Sequence, residues 1–149
     1  MSETLTGILR ALLGSFAGTV GFAMLVHVPK KSWLPCGLIA ALSYLVYWLL
    51  TAVAGLADPI GIFAGSLVGS VIGQISARRM KTIATVFLMA AVVPVVPGLG
   101  LYRMMALLGQ GNMAAGGSQG IAAMITIAMI VLGISMGSFV DRMFNHRSS

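Results

Sequence analysis

Long apolar runs separated by short polar segments organise this chain. A membrane core about 30 Å thick needs roughly 20 apolar residues in a helix, and five runs are close to that length or longer. The pattern therefore predicts five transmembrane helices in a single transmembrane domain, residues 1–149. The predicted spans cover residues 5–28, 34–57, 60–77, 82–109 and 119–140.

The composition agrees with that class of protein. Of the 149 residues, 58% are hydrophobic and only 8% are charged, whereas a soluble domain carries roughly 25% charged residues. The mean hydropathy is +1.01. These polar groups are too few to cover a soluble globule of this size. The sequence therefore predicts an all-α integral membrane protein.

The basic residues predict the orientation in the bilayer. The net charge is +6, but Lys and Arg occur in short clusters between the apolar runs, which is typical of topology-setting loops and not of a nucleic-acid-binding face. With five spans, every cluster lies on one side, which the positive-inside rule makes cytoplasmic. We therefore expect the N-terminus outside and the C-terminus inside. The clusters are Lys30-Lys31, Arg78-Arg79-Lys81, and Arg142 with Arg147.

A four-span topology is the main alternative. It makes residues 82–109 a re-entrant hairpin, and it places Arg142 and Arg147 on the side opposite the other basic clusters. The five-span topology keeps all the clusters together, so we favour it.

Glycines recur at every fourth position of the third run, GIFAGSLVGSVIG. They fall on one helical face, where small residues allow the backbones of membrane helices to approach closely. This glycine ridge predicts a central packing helix, and the alternative is that the ridge lines a substrate path. The ridge consists of Gly61, Gly65, Gly69 and Gly73. Shorter versions are Gly14 with Gly18, and Gly133 with Gly137.

Enzymatic chemistry has few candidate residues. The carboxylates are Glu3, Asp58 and Asp141, and each lies at the end of a predicted span. The sequence contains no pair of intramembrane Asp residues, no Ser/His set at membrane depth, no zinc motif and no Walker A motif. We therefore expect neither an enzyme nor a metal or other cofactor. For proton coupling, only His27 offers a titrating group near a span, and interfacial packing is its alternative role.

The fourth run contains its own interruption, AAVVPVVPGLGLYRMM. Pro94 and Pro97 each lack an N–H and crowd the preceding turn, and Gly98 permits almost any backbone angle. At 1.5 Å per residue the two halves of the run are each about 18 Å long, which predicts a break near the bilayer midplane. Polar backbone at that depth must lie against protein or a water-filled cavity.

The break is also the predicted binding site. A half-helix that starts near Gly98 points its N–H groups and positive dipole end into the membrane, which suits a carboxylate. Tyr102 offers a hydrogen-bond donor and Arg103 a positive charge. The alternative is a kink that shapes packing only, with Arg103 at the outer surface. The predicted site residues are Pro94, Pro97, Gly98, Gly100, Tyr102 and Arg103.

Three segments resemble landmarks of the threonine/serine exporter superfamily, in the same order and spacing. They are residues 21–29 (GFAMLVHVP), 66–78 (SLVGSVIGQISAR) and 90–102 (AAVVPVVPGLGLY). The similarity is greatest to short members that form the small membrane subunit of a two-component succinate exporter. His27 departs from the family pattern, in which an amide residue is expected at that position.

The resemblance implies secondary active export of small amino acids or dicarboxylates across the bacterial inner membrane. It also implies a larger partner subunit of the same superfamily. Two other functions fit the same sequence. One is a non-transporting assembly or stabilising subunit that docks its partner through the glycine ridge. The other is a self-sufficient homo-oligomeric channel.

Overall fold

The computed structural model describes residues 2–145 and the side chains of residues 6–143, and its regular structure is entirely helical. Arg147, one of the predicted cytoplasmic charges, lies outside the described residues. The α-helices in chain order are α1 Ser2–Leu25, α2 Trp33–Trp48, α3 Asp58–Arg79, α4 Ala84–Val92, α5 Gly98–Gly109 and α6 Met113–Asn145. A 3-10 turn, Lys30–Ser32, precedes α2, and a π-helical turn, Leu49–Val53, extends it.

Within the described residues, four helical segments are long and apolar enough to cross a membrane. The chain is therefore an all-helical membrane protein. The predicted span 82–109 consists of two short helices, α4 with 9 residues and α5 with 12. The count of five spans stays a prediction. The four segments are Thr6–Leu25, Lys30–Val53, Asp58–Arg79 and Met113–Met143.

Helix α3 is the centre of the bundle and packs against α2, α4 and α6. All four residues of its glycine ridge are buried. A Cβ atom added at Gly65 would lie 2.7 Å from the carbonyl oxygen of Ser43 in α2, and one added at Gly69 would lie 2.8 Å from the Cβ of Ala91 in α4. Because a glycine has no Cβ, the backbones of α2 and α4 approach α3 more closely than any larger residue allows.

The shorter glycine pairs differ from each other. The prediction for α1 was wrong, because a Cβ added at Gly14 or Gly18 would meet nothing within 4 Å. Helix α1 packs instead through Phe16, whose ring covers Gly37 of α2. In α6, by contrast, the pair lies against α3, where a Cβ added at Gly137 would lie 2.9 Å from the Cβ of Ser70.

Helices α3 and α6 run parallel. Gly133 lies beside Ser66, and Gly137 lies beside Ser70, so positions advance together along both helices. The connection between them therefore returns along the bundle, from the C-terminal end of α3 to the N-terminal end of α6. Helix α4 begins this return.

The return path is antiparallel to both of its neighbours. Along α4, Phe87 lies beside Gly73, and Ala91 lies beside Gly69 of α3. Helix α5 then packs on the first half of α6 in the same antiparallel sense. There Leu108 covers Gly116, and Met104 covers Gly120.

The break between α4 and α5 lies toward the N-terminal end of α3. Val95 packs with Ile62 of α3 and Ile130 of α6 in one buried cluster. At 1.5 Å per residue, Ile62 is about 10 Å from the middle of α3. Relative to α3 the break is therefore off-centre, and its depth in the bilayer stays a prediction. The reason is that α5 continues beyond the start of α3, beside the first half of α6.

Candidate functional site

A cavity of about 320 Å³ lies beside the break. Helices α2, α3 and α6 and the break itself all contribute to its wall. Small-molecule sites in proteins commonly occupy about 300–1,000 Å³, so this cavity is large enough for a small metabolite. Its polar lining residues are Tyr44, Tyr47, Asp58 and Thr126, and the break contributes Pro94 and Pro97.

Asp58 enters the cavity wall because it is the first residue of α3. A carboxylate is favourable there, since the N-terminus of a helix carries partial positive charge. Pro59 follows it, in a position where a helix loses no hydrogen bond to proline. The hydroxyl of Tyr47 lies 3.4 Å from Asp58 Oδ1 and donates a hydrogen bond to it.

The glycine ridge positions the tyrosines of α2. A Cβ added at Gly61 would lie 3.1 Å from Tyr47 Cδ2, so the ring lies directly on the backbone of α3. Tyr44 is one turn earlier in α2, and the centroids of the two rings are 5.7 Å apart with planes inclined by 56°. The close approach of α2 and α3 therefore builds one aromatic wall of the cavity.

The break itself is a compact turn. The N–H of Gly98 donates to the carbonyl of Val96 at 2.8 Å, and Pro97 between them has φ −77 and ψ 51. This is an inverse γ-turn, in which proline supplies the central φ value. Helix α5 begins at the next residue, so its N-terminus directly follows Pro97, which lines the cavity.

The structure places two of the six predicted site residues in the cavity wall. Pro94 and Pro97 line the cavity, while the other four do not. A Cβ added at Gly98 would meet nothing within 4 Å, and one added at Gly100 would meet only Pro97. Tyr102, at 69% exposure, and Arg103 are exposed on α5. The tyrosines of α2, Asp58 and Thr126 were missed by the sequence analysis. The one indication in the sequence was the rarity of carboxylates, because Asp58 is one of only three in the chain.

His27 lies just beyond the end of α1, in the left-handed region with φ 57. Its N–H donates to the carbonyl of Met24, and the N–H of Val28 donates to the carbonyl of Ala23. These two bonds form a Schellman motif, which ends many helices. Histidine and asparagine tolerate this backbone conformation better than most residues. The backbone conformation is therefore compatible with a structural role for His27 at the end of α1.

A second cavity, of about 350 Å³, lies between α1, α4 and α6, and its wall is almost entirely apolar. Phe22, Met89 and Ile134 are among its lining residues. It offers no charged partner for a carboxylate. In the described part of the chain, no group of three His, Cys, Asp or Glu side chains is placed to hold a metal ion.

A bundle of apolar helices around a glycine-rich centre, with a polar cavity beside a proline break, is typical of a membrane transporter. Residues 11–140 match the family model described as Threonine/Serine exporter, ThrE. The match covers most of the chain, so this protein belongs to the threonine/serine exporter family. That family consists of transporters and is not a class of enzymes. No solved structure matches the chain.

Proposed function

We propose that this chain is a subunit of a secondary active exporter that works with a larger membrane subunit of the same superfamily. The exporter moves small amino acids of the threonine/serine type, or dicarboxylates of the succinate type, out of the bacterial cytoplasm. The family match over residues 11–140 carries the proposal. In this proposal the energy comes from an ion or substrate gradient.

The proposed topology has five crossings of the inner membrane, with the N-terminus outside and the C-terminus inside. The parallel arrangement of α3 and α6 supports this count. Two parallel helices that both cross the membrane require a segment between them that crosses back, and α4, the break and α5 supply it. The basic clusters around Lys30 and Arg78 belong to one end of the bundle, since Cys36 and Ala77 pack in the same buried cluster.

In this proposal the substrate binds in the cavity beside the break, with its carboxylate toward the N-terminus of α5. The first-turn N–H groups of Leu99 and Gly100 have no carbonyl one turn earlier in their own helix. Gly98 and Gly100 leave their approach unobstructed. Arg103 adds positive charge one turn further along, and Tyr102 adds a hydroxyl on the same short helix.

The test is an efflux measurement in the bacterium that encodes the chain. Cells with and without the chain are loaded with labelled L-threonine, L-serine or succinate, and the rate of release is followed. We expect removal of the chain to slow the release of at least one of these compounds, and its reintroduction to restore the rate. Unchanged release of all three would contradict the proposal.

Two further measurements separate the alternative functions. Affinity purification of the tagged chain from membranes should recover the larger subunit. The purified chain alone in liposomes should not pass substrate. Transport by the chain alone would identify a homo-oligomeric channel. A stabilising subunit would be identified if the larger protein alone transports at the full rate for its abundance.

A further inference from the structure

We propose that the chain binds an anionic phospholipid along α4, taken from the membrane leaflet beside the basic clusters. The phosphate contacts lysines near the start of α4, an ester carbonyl accepts a hydrogen bond from Thr19, and an acyl chain lies along the apolar surface of α4. This lipid site is separate from the cavity beside the break. It does not depend on which compound the exporter carries.

The acyl chain occupies the apolar cavity of about 350 Å³ between α1, α4 and α6. This cavity is a groove along the whole of α4, from Thr85 at its start to Val96 in the break. Met89 and Val96 in its wall are 52% and 49% exposed, so the groove is open to the bilayer. Membrane helices dock on small residues that let their backbones approach, whereas this wall consists of Phe, Leu, Met, Val and Ile with one Thr. The groove therefore suits a flexible acyl chain better than a helix.

A smaller cavity, of about 70 Å³, adjoins the groove and lies between α1, α2 and α4. The two cavities share Phe22, Thr85 and Met89. Thr19 of α1 lines the smaller cavity and is only 1% exposed. Its hydroxyl has no hydrogen-bond partner among the described residues, and a buried hydroxyl without a partner is unfavourable. Thr19 is therefore available to donate to a polar group that enters from the groove.

An ester carbonyl is the polar group that a phospholipid brings to this depth. Thr19 is six residues before the end of α1, which is about 9 Å along the helix. The interfacial region on each side of the hydrocarbon core is about 5–8 Å thick, and the ester groups of a phospholipid lie at its inner edge. Thr19 is thus close to the level at which the headgroup ends and the acyl chains begin.

Lysines at the end of the bundle supply the opposite charge for the phosphate. Lys81 is four residues before Thr85, and Lys30 is two residues after Val28, which lines the smaller cavity. Lys30, Lys31 and Lys81 are exposed, and none of them forms an ion pair with another described residue. Basic clusters at the cytoplasmic ends of membrane helices bind anionic headgroups. The site therefore favours an anionic phospholipid over a zwitterionic one.

Lipid binding to the purified full-length chain tests the headgroup contact. The chain is delipidated in detergent and mixed with dioleoyl phosphatidylglycerol, dioleoyl phosphatidylethanolamine or inorganic phosphate, and native mass spectrometry gives each Kd. We expect phosphatidylglycerol to bind at least about fivefold more tightly than phosphatidylethanolamine. The double variant Lys30→Gln/Lys81→Gln should weaken binding of phosphatidylglycerol by about fivefold for each lysine. Arg10→Gln, in the first half of α1, is the control and should leave that Kd unchanged.

Thr19→Val tests the carbonyl contact, because it removes the hydroxyl and keeps the shape of the side chain. It should raise the Kd for phosphatidylglycerol about threefold to tenfold. Ether-linked phosphatidylglycerol has no ester carbonyl, so the variant and the wild-type chain should bind it equally. Without lipid, Thr19→Val should melt at the wild-type temperature or above, since an unpaired buried hydroxyl is lost.

Met89→Trp tests the groove by filling it, and it should lower the binding of phosphatidylglycerol. Met136→Trp is the matched control, because Met136 is 54% exposed on α6 and is not a lining residue of either cavity. It should bind the lipid as the wild-type chain does.

Several results would overturn the lipid site. They are equal binding of phosphatidylglycerol and phosphatidylethanolamine, an unchanged Kd in the lysine double variant, and an equal loss of ester and ether lipid in Thr19→Val. Full competition by inorganic phosphate would identify an anion site without a lipid. Loss of a co-purifying membrane protein in Met89→Trp, with lipid binding unchanged, would identify a helix as the occupant of the groove. If Thr19→Val does not accumulate, equal binding of ester and ether lipid by the wild-type chain would exclude the carbonyl contact.

Discussion

Arg78 of α3 donates a hydrogen bond to the carboxylate of Asp141 in α6, and Asp141 is only 7% exposed. Gln74 lies one turn before Arg78. In the orientation that satisfies both ends of its amide, its nitrogen donates to the same carboxylate oxygen at 2.9 Å, and its oxygen accepts from Ser138 Oγ at 3.1 Å. One buried carboxylate therefore links the two parallel helices at the end of the bundle where the basic clusters lie.

Removal of Arg78 should destabilise this interface. Arg78→Ala leaves the buried carboxylate of Asp141 without its opposite charge, and we expect a loss of about 1–3 kcal/mol in the free energy of unfolding. The loss is smaller than for a fully buried pair because the Arg78 side chain is 44% exposed. Thermal unfolding of the purified protein in detergent measures it. Arg79→Ala is the control, since Arg79 is an exposed neighbour outside the described ion pair. Equal effects of the two substitutions would contradict the assignment.

A single methyl group on the glycine ridge should also destabilise the bundle. The Cβ of Gly65→Ala would lie 2.7 Å from the Ser43 carbonyl, and relief of that overlap requires the backbones to separate. Overpacking of this kind costs about 1–3 kcal/mol. Gly18→Ala makes the same change in α1, where nothing lies within 4 Å, and should leave the melting temperature unchanged or higher. Melting temperatures in detergent and abundance in the membrane provide the comparison.

The sequence predicts the long helices well and the cavity poorly, for physical reasons. Crossing a membrane depends on a local property, the length of an apolar run, and the runs around α1, α2, α3 and α6 all have it. The cavity depends on contacts between distant residues. Asp58 and Tyr47 meet only because α2 and α3 form a hairpin, and Thr126 joins them from α6. The spacing of residues along the chain does not predict contacts of this kind between separate helices.

The position of the break relative to the neighbouring helices could not be predicted from the sequence for a related reason. Helical rise gives the position of residues 94–98 within their own run, but not relative to the neighbouring helices. The packing of Val95 on Ile62 sets that position, and it depends on how far α5 extends beside α6. The family, by contrast, was predicted correctly, because short motifs in the right order are a property of the sequence itself.

The proposed topology can be tested with single cysteines. In a Cys36→Ala background, Asn112→Cys lies in the turn between α5 and α6, and Lys31→Cys lies in the turn before α2. Five crossings with the N-terminus outside put residue 112 outside and residue 31 inside. A membrane-impermeant maleimide added to intact cells should therefore label Asn112→Cys only, and permeabilised cells should allow both to react. If both react only after permeabilisation, residues 82–109 re-enter on the cytoplasmic side.

Substitutions at the start of α5 should lower export without affecting folding. A Cβ added at Gly98 would meet nothing within 4 Å, so Gly98→Leu fits the fold and obstructs only the approach to the first-turn N–H groups. Arg103→Ala removes an exposed positive charge from the same helix. We expect both variants to reach normal membrane levels and to release substrate about tenfold more slowly, as is common when a charged or hydrogen-bonded contact is lost.

The matched control for Gly98→Leu is Gly109→Leu at the other end of α5. A Cβ at Gly109 also meets nothing within 4 Å. Release from that variant should equal the wild-type rate. Wild-type release from both Gly98→Leu and Arg103→Ala at equal abundance would remove the start of α5 from the substrate site.

His27 provides a test between a structural and a titrating role. Its φ of 57 is adopted by Gly, Asn and His more often than by most residues, whereas a β-branched residue is an outlier in that region. His27→Asn should therefore preserve both membrane abundance and efflux. His27→Val should lower the free energy of unfolding by about 1–2 kcal/mol, since a β-branched residue is strained in that conformation. Efflux at several external pH values completes the comparison. If His27→Asn reaches normal abundance but loses efflux or its pH dependence, the imidazole takes part in proton coupling and not only in ending α1.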